Sequence, residues 1–179
     1  LYSELAETQY LNGQLESVDA TSAIVLKHVR SLSDAISVYS TQISCYQAQG
    51  KLLEGLELGV KILAKLGVRI PQKIAAETIK TKLSQTLNKF QSKSIEELVN
   101  SPLSNDRNLF KIQKILTLIV GCAYKASPEL LPFIICEQVN LIIDRGNLPS
   151  SASIYALYGM LLCGSQDFEA GNRASEVVL

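Results

Sequence analysis

The chain repeats itself, and that constrains its fold more than any single motif. Leu11-Asn12-Gly13-Gln14-Leu15-Glu16-Ser17-Val18 aligns with Ala48-Gln49-Gly50-Lys51-Leu52-Leu53-Glu54-Gly55 at a shift of 37 residues, from 11 to 48. The register holds downstream, where Leu15 meets Leu52, Ser22 meets Gly59, and Val25-Leu26 meets Ile62-Leu63. A third copy lies at the far end, with Phe168 in place of Leu15, Gly171 of Val18, Ser175 of Ser22 and Val178-Leu179 of Val25-Leu26. Small residues at one helical spacing and large aliphatic ones at another, recurring three times, describe units that bury a face on their neighbours.

The units are helical. Apolar residues recur at three and four, β signals are nearly absent, and Gly, Pro and Asn fall at intervals that suit short helices. The pattern predicts helices over 1–12, 15–29, 33–49, 51–66, 72–91, 94–99, 105–125, 128–145, 150–164 and 167–179. The stops have physical reasons. Leu66-Gly67 followed by Pro71 ends one helix. Ser127-Pro128 opens another with a cap and a proline, and Gly146-Asn147 closes it. Ser94 with Glu96-Glu97 reads as a helix start with acids in the first turn. Helices 105–125 and 128–145 are apolar over most of their circumference and are expected to be central. Any of Glu137, Gln138 and Asn140 that is buried there needs a partner.

A helix, a tight turn and a second helix, repeated, resemble the tetratricopeptide pattern, whose period is about 34 residues. Tyr155 stands at its aromatic position, Tyr158 at the large one and Gly159 at the small one, and Leu5-Ala6 supplies the large-small pair in the first copy. The second copy departs, with Gln42-Ile43 there. The expectation is an all-α, single-domain stack over 1–179, a TPR-like α-solenoid of degenerate helical-hairpin repeats. Its repeat-like pairs are 1–29, 33–66 and 150–179, with central helices over 72–148. By register, Ser37, Ser40, Ser44 and Gln47 would face the concave side.

Charge and chemistry narrow the function classes. Seventeen basic and seventeen acidic residues cancel, so the whole chain is no general binder of nucleic acid or membrane surfaces. Between Lys61 and Lys93, eight basic residues (Lys61, Lys65, Arg69, Lys73, Lys80, Lys82, Lys89, Lys93) face one acid, Glu77. Without stacking aromatics or a motif this reads as a solvated face, or as a surface docking on an acidic neighbour, with Lys73, Lys80, Lys82 and Lys89 its core. The longest apolar runs, Ile115–Ala123 and Leu130–Cys136, fall short of a membrane span. Gly55 and Gly59 form a Gly-x-x-x-Gly among charged residues, which the repeat explains better than membrane dimerisation. Cys45, Cys122, Cys136 and Cys163 never pair as Cys-x-x-Cys and sit in apolar stretches, so each is expected to be a small buried hydrophobe in a reducing, cytoplasmic compartment. His28, the lone histidine, lies late in its helix, where the dipole favours it. Gly50-Lys51 is followed by Leu, and no glycine stands five residues earlier, so it is no phosphate loop. No catalytic, metal or cofactor site is expected within these residues.

Longer phrases resemble a known family. Glu4-Leu5-Ala6-Glu7 running to Tyr10-Leu11-Asn12-Gly13 and Lys51-Leu52-Leu53-Glu54 running to Leu66-Gly67-Val68-Arg69-Ile70-Pro71 open the resemblance. Ser94-Ile95-Glu96-Glu97-Leu98, Ala126-Ser127-Pro128-Glu129-Leu130, Gln138-Val139-Asn140-Leu141 and Tyr155-Ala156-Leu157-Tyr158-Gly159 continue it. In that order they resemble the helical region of bacterial, especially cyanobacterial, multi-sensor signal transduction multi-kinases. Such chains join a Ser/Thr kinase domain, a signal-transducing AAA-type ATPase, a GAF-type sensor and a histidine kinase. The resemblance implies a non-catalytic relay between the ATPase and the sensor and kinase domains. Its partners would be neighbouring domains or other proteins, and ATP would bind only in those neighbours. Two other readings stay open: the helical array of an ATP-dependent transcription activator that follows a STAND-type ATPase, and a free-standing adaptor. The chain begins without Met and its last helix has no stop signal, so a segment of a longer protein is expected.

Overall fold

The computed structural model describes residues 2–29, 31–71 and 73–178. The expected helix limits at 1, 72 and 179 lie outside them. The described residues are all-α. Ten helices follow one another: α1 (Tyr2–Leu11), α2 (Leu15–His28), α3 (Leu32–Ala48), α4 (Leu52–Lys65), α5 (Ala76–Gln91), α6 (Ile95–Val99), α7 (Arg107–Ala126), α8 (Leu131–Arg145), α9 (Ser151–Gly164) and α10 (Phe168–Glu176). Among the described residues there is no strand, only an isolated bridge between Leu103 and Asn147.

Boundaries follow local chemistry. Ser94 and Glu97 form a reciprocal capping box at α6, at the helix start that the sequence suggested. The 128–145 helix is in two pieces, a 3-10 turn over Pro128–Leu130 and then α8. Pro132 causes this, because a residue without an N–H fits only in the first turn of an α-helix. Similarly, α5 starts at Ala76, later than expected, because Ala75 is extended at φ −74° and ψ 145°.

One turn recurs. Gly13, Gly50 and Gln166 all have positive φ, at 73°, 73° and 67°. Each donates its N–H to the carbonyl three residues back (Tyr10, Gln47, Cys163), and the next residue donates to the carbonyl five back (Gln9, Tyr46, Leu162). These are Schellman turns, which satisfy the last carbonyls of a helix and need a left-handed residue. They join α1 to α2, α3 to α4 and α9 to α10. In the third copy that residue is a glutamine, whose Cβ makes the conformation unfavourable by about 1 kcal/mol. Gln166→Gly is therefore expected to stabilise by about 0.5–1 kcal/mol, read as a higher urea midpoint at unchanged slope.

The contacts divide the chain into two compact units. Unit 1 holds the residues up to Ile70 together with Lys111–Pro128. In it α1 pairs with α2, α3 pairs with α4, and α3 lies against both α1 and α2. Ala6, Val18, Val38, Ile43, Leu63, Ile115, Ile119 and Cys122 are fully or almost fully buried in it. The Gly-x-x-x-Gly of α4 packs against α7. A Cβ on Gly55 would lie 3.0 Å from Cys122 Sγ, and one on Gly59 would overlap Ile119 Cγ2 outright.

Unit 2 holds Pro71–Phe110 and the residues from Glu129 onward. Here α5 packs on α8, α8 on α9, and α9 on α10. Helices α5 and α8 run in the same direction, because Lys82 meets Glu137, Thr86 meets Asn140 and Lys89 meets Asp144. The Phe90 ring lies 6.0 Å from that of Tyr155 and 5.6 Å, edge-on, from that of Tyr158. Gly146 closes α8 at φ 96°. Beyond it, the Asn147 backbone exchanges bonds with Pro102 and Ser104, and its side chain donates to the Leu98 carbonyl at 2.8 Å. Tyr158 is fully buried, and its hydroxyl has no hydrogen-bond partner among the described residues. Tyr158→Phe is expected to be neutral or stabilising by up to about 1 kcal/mol, measured by thermal melting.

Candidate functional site

The α3 face expected to be concave is mostly engaged within unit 1. Ser37 is exposed and Ser44 half-buried. Ser40 is buried, its hydroxyl donating to the Ile36 carbonyl at 2.8 Å. The Gln47 amide donates to the Leu118 carbonyl of α7 at 2.8 Å, and Lys111 of α7 reaches Ser33 at 2.7 Å. Ser40 and Gln47 thus spend their polar groups inside the unit. Register placed all four on one face but could not show that α7 returns to it.

The basic stretch is divided as well. Lys61, Lys65 and Arg69 belong to unit 1, and Lys73, Lys80, Lys82, Lys89 and Lys93 to unit 2. Lys82 pairs with Glu137 at 2.5 Å, with both side chains about one-fifth exposed, and lies over the Phe133 ring at 5.1 Å. Lys89 pairs with Asp144 at 2.5 Å. Lys73 and Lys80 are exposed, and Lys80 lies 4.0 Å from Glu77. Half of the proposed docking face is therefore neutralised by α8. The seven-residue spacing of Lys82 and Lys89 matches that of Glu137 and Asp144, two turns on each helix. That match was readable in the sequence, but only with the parallel pairing of α5 and α8 in hand.

Between the two ion pairs lies a buried polar cluster. The Asn140 amide donates to Thr86 Oγ1 at 2.9 Å, which answers the partner question raised for Asn140. Cys136 lies beside Thr86, and burial pushes its thiol up to about 11 from an ordinary 9.0. Burial likewise pushes Tyr155 up to about 12. Such groups favour the protonated native state: stability is intact below the unfolded pKa and is lost as pH rises through the folded one. Unit 2 is expected to lose stability from about pH 9 upward, with about 2–3 kcal/mol from Cys136 alone by pH 11. Cys136→Ala should flatten the slope of unfolding free energy between pH 9 and 11. An unchanged slope would assign the loss to the tyrosines.

Cys45, Cys122 and Cys136 are buried as expected, but Cys163 is exposed. It lies on α9 against Gly171, at the rim of a groove between α9 and α10. The groove has a volume of about 570 Å³, and its lining includes Gly159, Met160, Phe168, Asn172 and Ser175. Sequence reasoning missed this surface, although Met160 and Phe168 were visible as large apolar residues on a terminal hairpin. His28 is the last residue of α2 and is exposed. Among the described residues no group of three or more His, Cys, Asp or Glu gathers in the manner of a metal site. No described helix is long and apolar enough to cross a membrane. No family model matches the chain, and none of the curated proteins or solved structures compared with it does either.

Proposed function

We propose that this chain is a non-catalytic protein-interaction and relay module, a degenerate TPR-like hairpin stack of a multidomain signalling Ser/Thr and histidine kinase. The observation that supports the repeat reading is the turn shared by Gly13, Gly50 and Gln166, with the same two backbone bonds at each. One sequence unit used three times, each time as a helical hairpin, is what stacked recognition modules are built from. The chemistry is consistent with recognition: polar groups on α3, α5 and α8 hold helices together, while an apolar groove between α9 and α10 and the lysines Lys73 and Lys80 are left exposed. The kinase context rests on the ordered phrases from Glu4 to Gly159 and on the physical suitability of a stack as a relay. Nucleotide state in an adjoining ATPase would alter how the stack packs, and kinase output would follow.

The test is to sequence the coding DNA on either side. A Gly-x-x-x-x-Gly-Lys-Ser/Thr loop upstream and a histidine-kinase core downstream are expected, and deletion of residues 1–179 should then abolish regulated phosphorylation. Phosphorylation that stays regulated after the deletion would overturn the relay. A helix-turn-helix downstream would assign the stack to a transcription activator, and immediate start and stop codons to an adaptor.

A further inference from the structure

Helix α5 is held in unit 2 differently from its neighbours. It buries only Thr86 and Phe90, whereas α8 and α9 bury residues along most of their length. No side chain is fully buried over residues 76–85, and no side-chain cap closes the first turn. What joins this half of α5 to α8 is charge. Lys82 Nζ lies 2.5 Å from the Glu137 carboxylate and 5.1 Å from the centre of the Phe133 ring. One turn on, Thr86 accepts a hydrogen bond from the Asn140 amide at 2.9 Å. Phe90 follows after another turn, with no exposed surface, against Tyr155 and Tyr158. Lys89, paired with Asp144, is its neighbour in sequence and belongs to the same end. A ring thus fixes the C-terminal end of α5, and polar groups hold the middle. Beneath them is Cys136, fully buried beside Thr86 and within reach of the Lys82 charge.

Local opening costs least where few apolar groups are buried. We propose that α5 is a charge-latched cover: it pivots about Phe90 when the Lys82–Glu137 pair is broken, and uncovers Phe133, Cys136 and Asn140 on α8. Loss of the Lys82 charge is the trigger. The residues before Thr86 bury no side chain fully, so they add little to hold the helix down. The Phe90 anchor does not depend on charge, so the core of unit 2 stays folded while the cover lifts. The inference concerns the α5–α8 contact alone and does not rest on the repeat or kinase reading.

Two rates test it on the folded chain: hydrogen exchange of the α5 and α9 amides, and alkylation of Cys136 by iodoacetamide, both read peptide by peptide. Cys163 is exposed and labels first, a control for the reagent, while buried Cys45 and Cys122 report on unit 1. Lys82→Met keeps an unbranched stem and removes the charge. It is expected to speed exchange over 80–87 and labelling of Cys136 by about fivefold, the worth of one well-formed ion pair. Exchange in α9 and labelling of Cys45 and Cys122 should not change. Lys82→Glu, which sets two carboxylates together, should open the cover further. Lys82→Glu combined with Glu137→Lys rebuilds the pair with its charges exchanged and should bring both rates back to within about twofold of the original. Equal acceleration in α5 and α9 overturns the proposal, since unit 2 would then be opening as a whole. Unchanged rates in both single variants overturn it, as does an exchanged pair that stays as open as Lys82→Glu alone.

Discussion

Phe90→Ala is expected to cost about 3–5 kcal/mol, the range for removing a fully buried aromatic ring. Phe90 has no exposed surface, and it meets Tyr155 and Tyr158 on α9 from its place on α5. The Arg173 guanidinium of α10 lies 5.6 Å from the ring centroid, and that side chain also donates to the Lys93 carbonyl. One ring thus ties α5 to both helices of the last hairpin. Neither tyrosine can swing into the vacated space without leaving its own packing, so the cavity stays open. Phe90→Leu keeps most of the volume and should cost about 1–1.5 kcal/mol. Urea denaturation checks both, and native-state hydrogen exchange should show the loss in unit 2 amides. A cost for Phe90→Ala under about 1 kcal/mol, a typical single-mutant value, would mean that the ring is not a structural centre of the unit.

Gly59→Ala is expected to destabilise unit 1 by about 1–3 kcal/mol, although alanine is the better helix former by about 1 kcal/mol. The propensity gain is lost because the new methyl group would occupy the space of Ile119 Cγ2. Ile119 is itself fully buried, and a β-branched side chain in a helix has essentially one rotamer, so it cannot turn aside. The two helices must separate instead. Gly164, also helical, has open space where its Cβ would be, so Gly164→Ala is the control expected to cost nothing. Thermal melts of the two variants decide the matter. Equal effects would remove the close approach of α4 and α7 as a determinant of the unit.

Much of the helical content was legible because helix ends are written in local chemistry. Ser94 and Glu97 form the capping box their spacing implies, Gly67 and Gly146 end helices at positive φ, and Asp167 caps α10 through the Ala170 N–H. Pro132 was the local signal not used, and it moved the start of α8 by one 3-10 turn. The turn repeat was legible at Gly13 and Gly50. At Gln166 the register carried it against residue preference, since the surrounding hairpin imposes a conformation that glutamine alone would avoid.

The candidate surfaces were less legible. Ser40 and Gln47 share the helical face that register assigned them, yet their hydrogen bonds go to Ile36 and Leu118. Lys82 and Lys89 read as free charge until α8 brings Glu137 and Asp144 alongside. Cys163 read as a core residue because its neighbours in sequence are apolar, but its side of α9 is the one left open.

The sequence by itself determined that the described residues are helical and where most of their helices turn. Those properties depend on contacts within four or five residues, where spacing and residue type suffice. Only the tertiary structure decided which polar residues are consumed internally and which surfaces remain available. Those outcomes depend on pairs such as Lys82–Glu137, Gln47–Leu118 and Gly59–Ile119, separated by some fifty or more residues. The energy of such pairs comes from burial and close approach across elements, which no local pattern records.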